Sequence, residues 1–197
     1  MVDHVLRRFS TVPIGVCASC VLLTTAAPTS AQRVANPTAD VAVASPAWAP
    51  RGGPRVLIDE AHLNFHTLGR HYAPFAALLR NDGYRVEANT TSFTRRSLAT
   101  ASVLVIANAA APEGAMSAFT NAEIGAVRAW VRAGGSLLLV ADHPPYAGAA
   151  TDLGKAFGVS FRNDYASYTG RRGQDVFRTG SGLENHVVTR GASAIRL

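Results

Sequence analysis

Cysteine is nearly absent from this 197-residue chain. The two that exist, Cys17 and Cys20, fall in an amino-terminal segment with the features of an export leader. The folded part is therefore expected to carry no disulfide, no thiolate nucleophile and no cysteine metal ligand. Lysine is scarcer still: of 19 basic residues, only Lys155 is not arginine. The phosphate-binding signature GxxxxGK[ST] is missing, since Ala156 follows Lys155, so the helicase-box letters Asp59-Glu60-Ala61-His62 have no phosphate cradle beside them. An ATPase is not expected. No G-x-S-x-G elbow is present, which argues against an ordinary serine α/β-hydrolase. A dinucleotide site would need G-x-G-x-x-G where this chain has Asp59 to Asn64, and no HExxH marks a zinc helix. The 17 glycines and 10 prolines follow no period, which excludes a collagen-like chain.

What is present fits one domain. The chain is 48% hydrophobic, enough for a real core, and too short for two full-sized domains. The net charge of +6 comes from arginines spread along the chain, so no nucleic-acid partner is expected. Residues 1–31 resemble an export signal, with Arg7 and Arg8 ahead of an apolar stretch at 12–27 and a small residue, Ala31, at its end. Pro13, Ser19, Thr24 and Thr25 interrupt that stretch, so no stable membrane span is expected after cleavage. A periplasmic or extracellular location follows from this reading. Residues 32–54, rich in Pro, Gly and small residues, are expected to be a flexible linker. The folded domain is expected over 55–197.

Val56-Leu57-Ile58, Val103-Leu104-Val105-Ile106 and the apolar run at 136–141 have the continuous hydrophobicity of buried parallel strands. The alternating stretch at 84–87 suits an edge strand, and 159–161 is expected to add a fifth. Between them lie helix signals. Pro74 stands in a first turn ahead of Phe75 and Leu79, and Asn81-Asp82-Gly83 makes a stop. Thr120 and Glu123 form a capping box before the stripe Ile124, Val127, Trp130 and Val131. That amino end is expected to lie away from the strands' carboxyl ends. A short helix is expected over 149–157. The Gly-rich stretch after Arg162 has room for a hairpin, and 193–197 opens like a further strand of a sheet cut short at the carboxyl terminus. Strands alternating with helices predict a single α/β domain, a flavodoxin-like doubly wound parallel sheet in a three-layer sandwich.

In such sheets ligands bind beyond the carboxyl ends of the strands. Asp59, Glu60, His62, Asn64 and His66 follow the first strand, Asn108 the third, and Asp142 and His143 the fourth, with His186 in the tail. Carboxylate and imidazole together can orient a proton-moving histidine or bind a divalent metal. Asp142, His143 and His62 are the catalytic candidates, with Asp59, Glu60, Asn64, His66, Asn108 and His186 as ligand-binding ones. His62 and His66 would share one face if their loop is helical, and with Asp142 they are the metal candidates; no cofactor is otherwise implied. The competing reading is that these residues cap helices and hydrogen-bond loops on a solvated rim. Tyr165, Tyr168, Arg171 and Arg172 could line a sugar or phosphate site or decorate an exposed hairpin.

The acidic pair after strand one, the unit Gly134-Gly135-Ser136-Leu137-Leu138-Leu139 and the Asp142-His143-Pro144 turn resemble the class I glutamine amidotransferase-like superfamily. The similarity is to its exported branch near trehalose-utilisation-like and gliding or intraflagellar-transport-like domains. It implies a flavodoxin-like sandwich over about residues 55–191 but not a glutaminase, whose nucleophilic cysteine would stand where Asp142 and His143 do. Asn185 to Gly191 is similar to a His-Pro-(Ile/Val)-Thr-Arg-Gly pattern, with Val187 in place of the usual Pro. The function expected is binding of a small polar or carbohydrate-like ligand. An Asp/His hydrolase, with or without a divalent metal, and a cell-envelope interaction module are the alternatives.

Overall fold

The computed structural model describes residues 39–165, 176–186, 189 and 194–196. The leader and the first part of the linker, with Tyr168, Arg171 and Arg172, lie outside the described residues. Four parallel strands form the main sheet: β1 (Arg55–Asp59), β2 (Arg85–Asn89), β3 (Val103–Ala107) and β4 (Ser136–Val140). Their order is β2-β1-β3-β4, the flavodoxin-like order through its fourth strand.

Alternation along each strand sorts the core into two layers. Val56, Ile58, Val86 and Val105 point to one face, which α1 (Ala73–Asn81) covers with Ala76, Phe75 and Leu79. Leu57, Leu104 and Ile106 point to the other, under Leu98 of α2 (Arg95–Leu98), Val127 of α3 (Asn121–Arg132) and Leu153 of α5 (Thr151–Lys155). The fold is thus a single α/β domain with helices on both faces of a parallel sheet. Among the described residues, no helix is long and apolar enough to cross a membrane. A second, three-stranded sheet, in the order β6-β5-β7, joins β5 (Val176–Thr179), β6 (Gly182–Leu183) and β7 (Ala194–Arg196). β7 runs antiparallel to β5, so the strand-like end of the chain pairs within this small sheet.

Several local expectations are corrected. The expected fifth strand does not form at 159–161. That segment instead folds back over two glycines: the Phe161 ring lies where a Cβ on Gly154 would stand, and Asn163 Oδ1 accepts from the Gly148 N–H at 3.0 Å. Among the described residues β4 is consequently the last strand of the main sheet, and Leu138 remains 44% exposed. The helix expected over 149–157 begins earlier and is split into α4 (Tyr146–Ala149) and α5. The short α2 was not anticipated; Thr94 accepts from the Ser97 N–H and Ser97 Oγ from the Thr94 N–H, a capping box without the usual Glu. Positions 41–53 hold no helix or strand, and they are tied down. Asp82 Oδ1 accepts from the Ala47 N–H at 2.7 Å, Asn81 Nδ2 donates to the Val41 carbonyl at 2.8 Å, and Gly53 N–H donates to the Gly83 carbonyl. Gly83, at φ +91°, has the Trp48 carbonyl where a Cβ would project.

Candidate functional site

The carboxyl edge of the sheet holds two separate groups of polar residues rather than one convergent site. The first is buried. Asp59 closes β1 fully out of solvent, and its carboxylate meets His62 Nδ1 at 2.9 and 3.0 Å. Across the same imidazole, Nε2 meets Glu123 Oε1 at 2.9 Å. His62 sits between the rings of Phe93 and Phe119, at 4.6 and 4.9 Å, on the α2–α3 side of the sheet. Asn89 Nδ2 donates to Asp59 Oδ1 at 3.2 Å from the end of β2.

Glu123 reaches this position because it is also the capping residue of α3. Its Oε2 accepts from the Thr120 N–H and hydroxyl at 3.0 and 2.8 Å, and its Oε1 also accepts from the Phe93 N–H at 3.1 Å. The amino end of α3 therefore stands at the strands' carboxyl edge, contrary to the sequence expectation. A helix that returns antiparallel to its strand must begin where that strand ends. Burial would raise the Glu123 carboxyl, but the Thr120 N–H, His62, the Thr120 hydroxyl and the Phe93 N–H together hold it at about 2. Burial likewise pushes the His62 imidazole down, and the Asp59 and Glu123 carboxylates outweigh it, leaving its pKa above the ordinary 6.5. Flanked by two carboxylates, the imidazolium form of His62 is the one favoured here, since it has an N–H for each of them.

The second group is open. Asn108 follows β3 in the left-handed region at φ +48°, a conformation that Asn tolerates better than most residues, and is completely buried. It joins three loops. Its N–H donates to the Val140 carbonyl and its own carbonyl accepts from the Phe65 N–H, both at 2.9 Å, while Nδ2 donates to Asp142 Oδ1 at 2.8 Å. The same Asp142 oxygen lies 2.6 Å from His143 Nδ1, and the Asp142 side chain remains 56% exposed. Around this carboxylate lie rings: His143 against Tyr146 and, stacked at 5.8 Å, Tyr165; Phe65 on His71; His66 on Tyr72. Burial and the neighbouring His71 lower the His66 pKa, against the pull of Asp142, so the ring is neutral at pH 7. Among the described residues, His66 Nδ1 is a buried nitrogen without a hydrogen-bond partner. Burial and then Asp142 raise the phenols of Tyr72 and Tyr146.

Several expectations divide accordingly. Asn108, Asp142, His143 and His66 belong to the open group. His62 and Asp59 do not: both nitrogens of His62 are held by carboxylates on the α2–α3 side, whereas Asp142 acts on His66 and Tyr72. Residues 60–72 form no helix, so the four-residue spacing of His62 and His66 gives no shared face, and the rings pack into opposite layers. Among the described residues, no group of three or more His, Cys, Asp or Glu is placed to hold a metal ion. The trio His62, His66 and Asp142 is not gathered at one point, since both nitrogens of His62 meet Asp59 and Glu123. Glu60 and Asn64 brace the loop, Glu60 Oε1 accepting from the Leu68 N–H at 2.7 Å and Asn64 Oδ1 from the His62 N–H at 3.0 Å. His186 lies exposed beyond β6, its N–H donating to Thr189. Sequence reasoning missed His71, Tyr72 and Tyr146 on the rim, and the contact of Glu123 with His62. Depressions of about 660 and 650 Å³ lie elsewhere, one at the amino ends of β3 and β4 and one over β1 and β2 beside the short α2. Neither is lined by a predicted site residue.

The family model described as "Domain of unknown function (DUF4350)" matches residues 72–194, more than half of the chain. The chain belongs to that family. The DUF4350 match takes in Asn108, Glu123, Asp142 and His143 and begins after Asp59, His62 and His66. No curated protein matches the chain. A solved structure, the "mmIFT52 N-terminal domain", is similar at 15% identity with a TM-score of 0.54, covering 72% of this chain. This chain spans 63% of that structure's length. At that identity the likeness is one of fold alone, and it agrees with the parallel-sheet architecture described above.

Proposed function

We propose that this DUF4350 domain is an exported binding module that takes a small, polar, carbohydrate-like ligand at the carboxyl ends of β3 and β4. One observation carries the reading: the exposed Asp142 carboxylate, fixed by Asn108 Nδ2 and His143 Nδ1, stands beside the 67% exposed ring of Tyr165, which stacks on His143. A fixed carboxylate accepts from paired hydroxyls, and an aromatic face takes the C–H face of a sugar ring. The surrounding histidines and tyrosines, His66, His71, Tyr72 and Tyr146, offer further donors and acceptors. The finer placement we favour is beside the class I glutamine amidotransferase-like superfamily, with its ligand position kept and its nucleophile replaced: Asp142 and His143 stand where the cysteine would be, and no thioester can form there. Export rests on the leader-like residues 1–31.

The test is calorimetric titration of the protein with neutral mono- and disaccharides, repeated with Asp142→Asn and Tyr165→Ala. Saturable binding that weakens at least tenfold in Asp142→Asn supports the reading. Absence of any saccharide binding at millimolar concentration refutes it and leaves the envelope interaction module. The Asp142–His143 contact favours a second reading, a hydrolase in which Asp142 orients His143 as a general base. Turnover of a bound saccharide that is lost in His143→Ala would select it.

A further inference from the structure

We propose that the buried Asp59–His62–Glu123 bridge is a proton-held latch that keeps the 60–72 loop, and through Asn108 the Asp142 carboxylate, in the ligand-competent position. The inference rests on the proposed ligand site and names its regulation.

The latch follows from donor arithmetic. Doubly protonated imidazole has an N–H for each carboxylate, Nδ1 for Asp59 and Nε2 for Glu123. Neutral imidazole has one N–H, so one lone pair would face a carboxylate oxygen at about hydrogen-bond distance in a buried site, where an unpaired acceptor is costly. Relaxation must then move either α3 or the loop. α3 is the firmer side, with twelve residues, a complete capping box and Val127 in the core. The loop has no regular structure and contains Leu63 at φ +49°, 64% exposed. The loop is the part that yields. The charged groups facing His62 among the described residues are Asp59 from β1 and Glu123 from α3; β2 presents Asn89, and the 90–94 and 111–120 segments present only Phe93 and Phe119.

Movement of the loop reaches the open site through few bonds. The His62 carbonyl accepts from the Ala110 N–H at 3.0 Å, and its N–H donates to Asn64, whose Nδ2 donates to the Ala107 carbonyl. Three residues on, Phe65 N–H donates to Asn108, and Asn108 holds Asp142. Ala107 to Ala110 thus receive the loop at three places and deliver the carboxylate. Proton loss from the His62 ring to solvent breaks one of its two carboxylate contacts and so frees the residue from which this series starts. Because burial is outweighed by the two carboxylates and the pKa of His62 is raised above 6.5, the latch is closed below that raised value and opens as pH climbs through it.

The test follows two observables in the full chain, without ligand, between pH 6 and 10: the ring-nitrogen chemical shifts of His62, and the hydrogen-exchange protection of the Phe65 and Ala110 amides relative to the Leu104 amide in β3. The expected result is a doubly protonated His62 ring at pH 7 and at least a tenfold loss of relative protection as the ring titrates. Glu123→Ala, which removes the Nε2 partner altogether, should show the low protection already at pH 7. Should that variant not fold, the wild-type series decides alone. The proposal is overturned if His62 carries one proton at pH 7, if it keeps both protons to pH 10, or if it titrates while Phe65 and Ala110 stay as protected as before. Asp142→Asn separates the two readings: it should abolish saccharide binding yet leave the protection of Phe65 and its pH dependence in place.

Discussion

Replacing Glu123 by Gln removes a charge and leaves the size of the side chain almost unchanged. The carboxylate accepts from His62 and Phe93 through one oxygen and from Thr120 N–H and Oγ1 through the other. A glutamine has one acceptor oxygen, so either the Phe93 or the Thr120 N–H must face an NH₂ group. The linkage gives the size of the effect. A carboxyl that titrates at about 2 when folded and at 4.5 when free contributes stability that is fully present above 4.5 and lost as pH falls toward 2. At 1.36 kcal/mol per unit this is on the order of 3 kcal/mol. Glu123→Gln should therefore unfold in urea with a stability loss of about 3 kcal/mol at pH 6, shrinking to about 1.5 kcal/mol at pH 3 as the carboxyl of the unfolded wild-type chain protonates ahead of the folded one. Equilibrium urea curves at the two pH values, with equal m-values, are the measurement. A loss below about 1 kcal/mol at pH 6, or one that does not shrink on acidification, would refute the account of Glu123 as an ionised, four-bonded hub.

Thr120→Ala should cost about 1 kcal/mol as a lost cap and should also raise the Glu123 titration, because the hydroxyl that donates to Oε2 is gone; carbon NMR of the Glu123 carboxyl reports it. Gly135→Ala places a methyl inside the Trp130 indole and should lower stability by about 1–3 kcal/mol in the same urea assay, with no effect on saccharide binding. His66 should titrate below 6.5 by proton NMR; its lowered pKa contributes stability above 6.5 that is lost as pH falls, opposite in sign to His62.

β1, β3 and β4 were legible because each is a local, largely apolar run, β2 because it alternates, and the helix starts because Pro74 in a first turn and the Thr120–Glu123 capping box are signals within a few residues. The double duty of Glu123 was not legible. Its capping role is visible at a spacing of three, while its bond to His62 spans 61 positions and needs the sheet to bring β1 and α3 together. The same limit hid Tyr146 and Tyr72, which meet the rim only after folding. The spacing of His62 and His66 misled because periodicity was applied to a loop with Leu63 and Asn64 between them and no helix to impose it. The segment at 159–161 misled for a different reason: its apolar residues do pack, but onto Gly154 rather than into the sheet.

The two tryptophans have a consequence for how the protein can be watched. Trp48 lies against Gly53 and Gly83, at the starts of β1 and β2, and Trp130 lies against Gly135, at the start of β4, with its indole N–H on the Ala101 carbonyl at 3.2 Å. Both chromophores sit at the amino end of the sheet, a strand's length from Asp142. Excitation at 295 nm (roughly the wavelength selective for indole) should therefore follow global unfolding and stay silent to an occupied rim. Tyr72, Tyr146 and Tyr165 are the fluorophores beside the carboxylate, so occupancy should register in tyrosine emission, giving one sample two independent optical channels, one for the fold and one for the site.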